Sequence, residues 1–281
     1  MAVRPLYMEK TIEAFYFDPD YLSDVATRYS AGYSAAKPFP HVVIDDFLPE
    51  AVAQRILDEF PTPEAEDWFR FQRGTERKLA TTAELGIGPV SRQVLNQFNS
   101  SAVIDFLEAL TGVEHLVPDP HYFGGGLHQI ERGGFLKVHA DFNHHSRLDL
   151  ERRLNLLLYL NRDWRDEWGG HLELWDTSMT TVVHRIAPIF NRCVVFSTTS
   201  FSYHGHPDPL KCPEGLTRKS MALYYYTKDR PPEELMPSHT TRFQRRPGEA
   251  MNARTPLKET LKRFVPPIVL DVTRDRRKPT P

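Results

Sequence analysis

Cysteine is scarce: Cys193 and Cys212 are the only two among 281 residues. That excludes a disulfide-stapled scaffold and fits a reducing compartment. Long apolar runs are also missing. The strongest, Asn155–Leu160 (NLLLYL), falls far short of the roughly 20 residues a bilayer span requires. The opening MAVRPLYMEKTIEAF lacks the apolar core of a secretory leader, so the expected location is the cytoplasm, with no membrane partner. Charge of one sign does not dominate either. With 35 basic and 37 acidic residues, net charge −2 and a pI near 6.6, no global basic field calls for nucleic acid. The local basic runs RFQRR (Arg242–Arg246) and TRDRRK (Thr273–Lys278) read as a solvated tail. No repeat of fixed period is visible, which argues against a solenoid.

The composition is that of an ordinary globular chain, 40% hydrophobic and 26% charged, long enough for one large domain with additions. Residues from about Lys10 to Lys37 are expected to be helical in part. HVVIDDF reads as a strand by its β-branched content, and Pro49 opens a helix whose apolar residues Ala51, Val52, Ile56, Leu57 and Phe60 recur at helical spacing. Val90–Leu110 forms a second helical region. From Pro120 to Thr227 the pattern changes to eight short apolar segments punctuated by Gly, Pro, Asn and Asp, from LHQIERGG to KSMALYYYT. Eight strands at this spacing predict a sandwich or barrel. Beyond Pro231 the chain is rich in Pro and Arg, with one helix expected near Pro256–Phe264. The expected division is an N-terminal helical and strand support region over 1–119, a catalytic β-domain over 120–230 and a C-terminal extension over 231–281, in a mainly β chain with flanking helices (α+β).

One segment carries chemistry. In FLKVHAD (Phe135–Asp141) an extended backbone puts His139 and Asp141 on one face, an imidazole beside a carboxylate, which is costly to bury unless something binds them. His204 follows on another strand candidate. Two histidines and a carboxylate can hold one face of an octahedral metal, leaving three positions for exogenous ligands as in non-haem Fe(II) oxygenases. A second His-x-Asp triplet, His206-Pro-Asp208, sits in the loop GHPDP, where Pro207 breaks strand pairing.

HADF, NLLLYLNRDW, WGGHLELWD, RCVVFSTTSFSYHGHP and LTRKSMALYYYT occur in this order at suitable distances. Together they resemble the prolyl-4-hydroxylase-like branch of the Fe(II)/2-oxoglutarate-dependent dioxygenases. The resemblance implies a double-stranded β-helix, or jelly roll, that uses Fe(II), 2-oxoglutarate as co-substrate and O2, and it is compatible with ascorbate as an accessory reductant. His139, Asp141 and His204 match the metal ligands. Arg218 matches the arginine that pairs with the distal carboxylate of 2-oxoglutarate, and Tyr159 a tyrosine that shares it. Ser220 and Asn155 lie at even spacing from Arg218 and Tyr159 and are further co-substrate candidates. On the strand ahead of His-x-Asp the options are His128 and Gln129, with Gln129 counted among the contacts. A carboxylate at Asp141 implies hydroxylation rather than halogenation, which in related enzymes needs a small residue there.

The resemblance implies a hydroxylase acting on an unactivated C–H of a prolyl or peptidyl, amino-acid or natural-product substrate, with succinate and CO2 as co-products. The rivals are a zinc-dependent hydrolase on a similar jelly roll and a non-catalytic, metal-binding cupin-like module. The first would leave Arg218, Tyr159 and Ser220 without a role.

Overall fold

The computed structural model describes residues 15–81 and 86–249, and those up to Pro247 belong to one compact unit. The helix expected near Pro256–Phe264 lies outside the described residues. Helix α1 (Pro19–Ala35) starts with Pro at its first position behind Asp18, whose carboxylate accepts from the Asp20 N–H at 2.9 Å, a side-chain cap for a helix end that lacks internal partners. Helix α2 (Glu50–Asp58) follows Pro49 as expected. The single helical region expected at Val90–Leu110 is two helices, α3 (Pro89–Phe98) and α4 (Ser101–Thr111). The break falls at Asn99 and Ser100, residue types that favour helix caps over interiors, with Ser100 extended ahead of α4.

All eight strand candidates form strands: β4 (Gly126–Glu131), β5 (Phe135–Ala140), β6 (Leu150–Tyr159), β7 (Leu172–Trp175), β8 (Val182–Ile186), β9 (Arg192–Ser197), β10 (His204–His206) and β11 (Thr217–Thr227). They are preceded by β1 (His41–Ile44), β2 (Trp68–Gln72) and β3 (Glu76–Thr81). Antiparallel pairing runs β1-β9-β6-β11-β4-β3-β5-β10-β7-β8, with β2 on β3. The layers β9-β6-β11-β4 and β5-β10-β7-β8 face each other as a double-stranded β-helix, and β3 bridges them by pairing with both β4 and β5. The N-terminal region is therefore continuous with the catalytic sheet through β1 and β3.

The period-2 alternation of the strands sorts their residues. Leu154, Leu156 and Leu158 of β6, Cys193 and Val195 of β9, and Met221, Leu223 and Tyr225 of β11 are buried in a core shared with the helices through Leu22, Val94, Phe98 and Leu107. Their neighbours Tyr159, Val194 and Phe196 turn into the barrel with Leu172 and Leu174. A Leu→Ala change at a fully buried position such as Leu156 removes about 2–5 kcal/mol. This apolar layer holds the barrel's polar face in register.

Candidate active site

Strands β5 and β10 pair with His204 opposite His139, so the two imidazoles enter the barrel from adjacent strands, ring centroids 4.5 Å apart. Each Nδ1 is tied to a backbone carbonyl two residues earlier, His139 to Lys137 O at 2.8 Å and His204 to Ser202 O at 2.9 Å. Since a carbonyl only accepts, both Nδ1 atoms carry the proton and both Nε2 lone pairs are directed inward. Those atoms lie 3.5 and 3.4 Å from the two oxygens of Asp141. One ligand atom from each of the three residues falls within 4.8 Å of the others, the only such group among the described residues. Two neutral imidazoles and an anionic oxygen are the donor set that suits ferrous iron.

Asp141 is itself held. Asn155 Nδ2 donates to Oδ2 at 2.7 Å, and the Arg152 guanidinium stands 3.1 Å from the same oxygen. Arg152 also donates to Asn155 Oδ1 through Nε at 3.0 Å and Nη2 at 2.6 Å, and its guanidinium carbon lies 3.4 Å from the Tyr224 ring centroid. Burial opposes the charge on Asp141, but the Arg152 guanidinium outweighs it and holds the carboxyl well below its usual range. Burial and the neighbouring His139 push His204 down to about 4, so its ring is neutral and able to ligate near neutrality. Asn155, expected to serve the co-substrate, is thus committed to Asp141 and Arg152. Four residues of extended chain, about 13 Å, separate it from Tyr159. Arg152 escaped sequence reading because a lone Arg in RRLN carries no signal of which of two adjacent arginines turns inward.

At the other end of the cradle, β6 and β11 pair Tyr159 with Ser220, both buried, and Arg218 lies two residues along on the same face. Arg218 donates from Nη2 to Tyr159 Oη at 3.2 Å and from Nε to Gly170 O at 2.7 Å. Gly170 has φ +74°, and a Cβ there would come within 2.7 Å of Leu210 and 3.0 Å of Arg218, so only glycine lets this carbonyl reach the guanidinium. Arg218 is 5% exposed, and among the described residues no carboxylate pairs with it. Lys219, on the opposite face, donates to Thr217 Oγ1 at 2.7 Å.

Gln129 is corrected by the register. It pairs with Lys219 and donates to Thr217 Oγ1 at 2.7 Å, on the face away from Arg218, whereas His128 pairs with Ser220 and faces the barrel. His128 ring nitrogen Nε2 is bonded to Gly124 O at 3.1 Å, and burial together with Lys78 lowers its pKa to about 3.

A cavity of about 720 Å3 opens beside His139 and Asp141, walled by Arg152, Tyr224 and residues of the β2–β3 hairpin such as Phe71 and Lys78. Lys78 Nζ lies 3.5 Å from Glu76 Oε2 in this wall. The hairpin was missed in the sequence, although Gly74 between the apolar alternation of WFRFQ and ERKLAT is a turn signal.

Arg152 offers a direct check on this arrangement. Arg152→Met should weaken Fe(II) binding by roughly 10–100-fold, the usual consequence of removing a group that orients a ligand. Arg152→Lys should not restore it, because an ammonium cannot serve Asp141 and Asn155 together as a planar fork does. Anaerobic metal titration measures both, and unchanged affinity in Arg152→Met would remove Arg152 from the metal centre.

Residues 125–226 match the family model of the 2OG-Fe(II) oxygenase superfamily. No protein of curated function matches the chain in sequence. Among solved structures, a prolyl hydroxylase from Trichoplax adhaerens, in complex with a hypoxia inducible factor oxygen degradation domain peptide fragment, superposes with a TM-score of 0.54 at 17% identity, over 74% of this chain and 92% of that chain. A Pseudomonas putida prolyl-4-hydroxylase gives 0.50 at 18% identity, over 75% and 99%. A prolyl 4-hydroxylase structure from Phytophthora capsici gives 0.52 at 19%, over 82% and 71%. At these identities the structural likeness is one of fold. Among the described residues no helix is long and apolar enough to cross a membrane.

Proposed function

We propose that the chain, whose residues 125–226 match the 2OG-Fe(II) oxygenase superfamily, is an oxygenase of the prolyl-4-hydroxylase-like branch that hydroxylates an unactivated C–H bond of a peptidyl substrate. In this reaction one atom of O2 enters the substrate as hydroxyl, and the other enters succinate as 2-oxoglutarate loses CO2. His139, Asp141 and His204 hold Fe(II), which when bound supplies the oxidative chemistry. Nδ1–H donation to backbone carbonyls fixes the imidazoles, and Arg152 with Asn155 keeps Asp141 ionised and oriented.

The observation that carries the reading is Arg218. A buried guanidinium without a carboxylate partner is strongly destabilising, and its Nη2 and Nε are already aimed by Tyr159 and Gly170. A 2-oxo diacid supplies the missing anion. Ser220, beside Tyr159, is a further donor to it. A zinc hydrolase would have no use for this pairing, and a non-catalytic module would bind the diacid without consuming it.

A peptidyl substrate is supported by the aromatic side chains of β2 and β11 that wall the cavity beside the triad, a surface that suits an apolar ring such as proline. The Trichoplax adhaerens enzyme, similar in fold, was solved with a peptide bound. Free amino acids and natural products are the second reading. The test has two stages. Fe(II) and 2-oxoglutarate added without oxygen should give a weak visible charge-transfer band, and oxygen should then yield succinate. Peptide and small-molecule libraries are next scored for a substrate-dependent rise in succinate and a gain of one oxygen atom. No band, or a band with no succinate under any condition, would eliminate the oxygenase reading. Hydroxylation confined to small molecules would move the substrate to the second class.

A further inference from the structure

His206, the histidine of the second His-x-Asp triplet, stands outside the cluster of His139, Asp141 and His204. It lies two residues beyond His204 on β10, and the pairing with β5 shows which way it points. His204 stands opposite His139 but His206 opposite Leu136, two steps on one strand against three on the other. The extra residue is a bulge in β5, so β10 stays regular and His206 faces the barrel with His204. Gly205, between them, is pressed onto the bulge: a Cβ there would lie 2.8 and 2.9 Å from the carbonyl oxygens of Leu136 and Lys137. The strand therefore has no room to turn His206 outward.

Inside, the ring has no partner. His206 is 4% exposed, and both Nδ1 and Nε2 are buried without a hydrogen bond. Buried side-chain polar atoms are satisfied in the large majority of cases, so a ring with both nitrogens orphaned calls for a bound group. Its surroundings say which. His206 lines a cavity of about 460 Å3 together with Gly170, whose carbonyl anchors Arg218, and the acids on the cavity wall are engaged elsewhere: Asp166 with His171, Glu167 with Arg165, Glu173 with Arg185 and Asp208 with Arg246. An imidazole carries at least one N–H to donate, so the group it lacks is an acceptor. No carboxylate of the described residues pairs with His206 or with Arg218.

We propose that His206 is a co-substrate-binding residue, its ring N–H donating to the distal carboxylate of 2-oxoglutarate beside Arg218 and Tyr159, so that it helps to select a 2-oxo diacid over a 2-oxo monoacid. This rests on the oxygenase reading and deepens it.

The test uses the full chain loaded with Fe(II) without oxygen, titrated with 2-oxoglutarate or with 2-oxopentanoate, which has the same carbon chain but no distal carboxylate. The charge-transfer band reports each Kd. His206→Val should weaken 2-oxoglutarate about tenfold, the worth of a hydrogen bond to a charged group. The Kd of 2-oxopentanoate and the affinity for Fe(II) should not change. His206→Asn, which restores a donor, should recover part of the loss and carries the same comparison if His206→Val does not fold. Equal weakening of both acids would mean that His206 only shapes the site, and loss of Fe(II) binding would make it a ligand. Either result overturns the proposal. So does an unchanged 2-oxoglutarate Kd in a protein whose wild type gives the band. A wild type that gives no band overturns the oxygenase reading itself.

Discussion

His204→Ala should abolish Fe(II) binding, whereas His206→Ala should leave it largely intact. Both residues are on β10, both are buried and both face the barrel, so exposure and strand direction do not separate them. Position does. His204 is opposite His139, its Nδ1 is tied to Ser202 O, and its Nε2 is 3.4 Å from Asp141. His206 is opposite Leu136 and belongs to no cluster of ligand atoms. Removing one of three protein ligands should exceed the roughly 10–100-fold that follows the loss of an outer partner such as Arg152. Anaerobic Fe(II) titration of the two variants, with folding checked by thermal unfolding, reads the difference. The opposite pattern would move the third ligand two residues along, and the co-substrate role proposed for His206 would fall with it.

The legible part of the molecule is the part in which period-2 alternation and chemistry coincide. HADF and FSYHG put His139 and His204 on strands, with Asp141 just past the end of the first, and the even spacing of Arg218 and Ser220 put both on one face, which the burial of Met221, Leu223 and Tyr225 against the helices makes the barrel face. Gln129 instead lies on the face away from Arg218. Its face depends on a pairing register one residue wide, and a strand whose residues are nearly all buried or half-buried has no clean alternation to reveal it. Asn155 stands at the Asp141 end of its strand, because alternation fixes direction and says nothing of what lies opposite. Arg152 was out of reach, since it is defined by Asp141 and Tyr224 from other parts of the chain. The bulge in β5 is equally silent in the sequence, and it settles where His206 points.

Arg218→Ala should raise the KM for 2-oxoglutarate at least tenfold, with Fe(II) affinity nearly unchanged. The distal carboxylate has to leave water to reach the barrel interior, and a bidentate guanidinium is the group best shaped to receive it. Taking away one member of a buried pair typically costs about 3–5 kcal/mol, because the remaining charge is left without compensation. Fe(II) should be spared because the triad is oriented by Arg152, Asn155 and two backbone carbonyls, none of which touches Arg218. Tyr159→Phe should cost less, about 1.5–3 kcal/mol, since it deletes one neutral donor to a charged group. Lys219→Ala is the control. Its ammonium is on the opposite face of β11, bonded to Thr217 Oγ1, and its loss should leave the KM unchanged. A damaging Lys219→Ala with a silent Arg218→Ala would make the anchor a lysine reached from the other face. Ser220 and Tyr159 would then lose their roles together, because both share the face of Arg218, and the charge inside the barrel would need another partner.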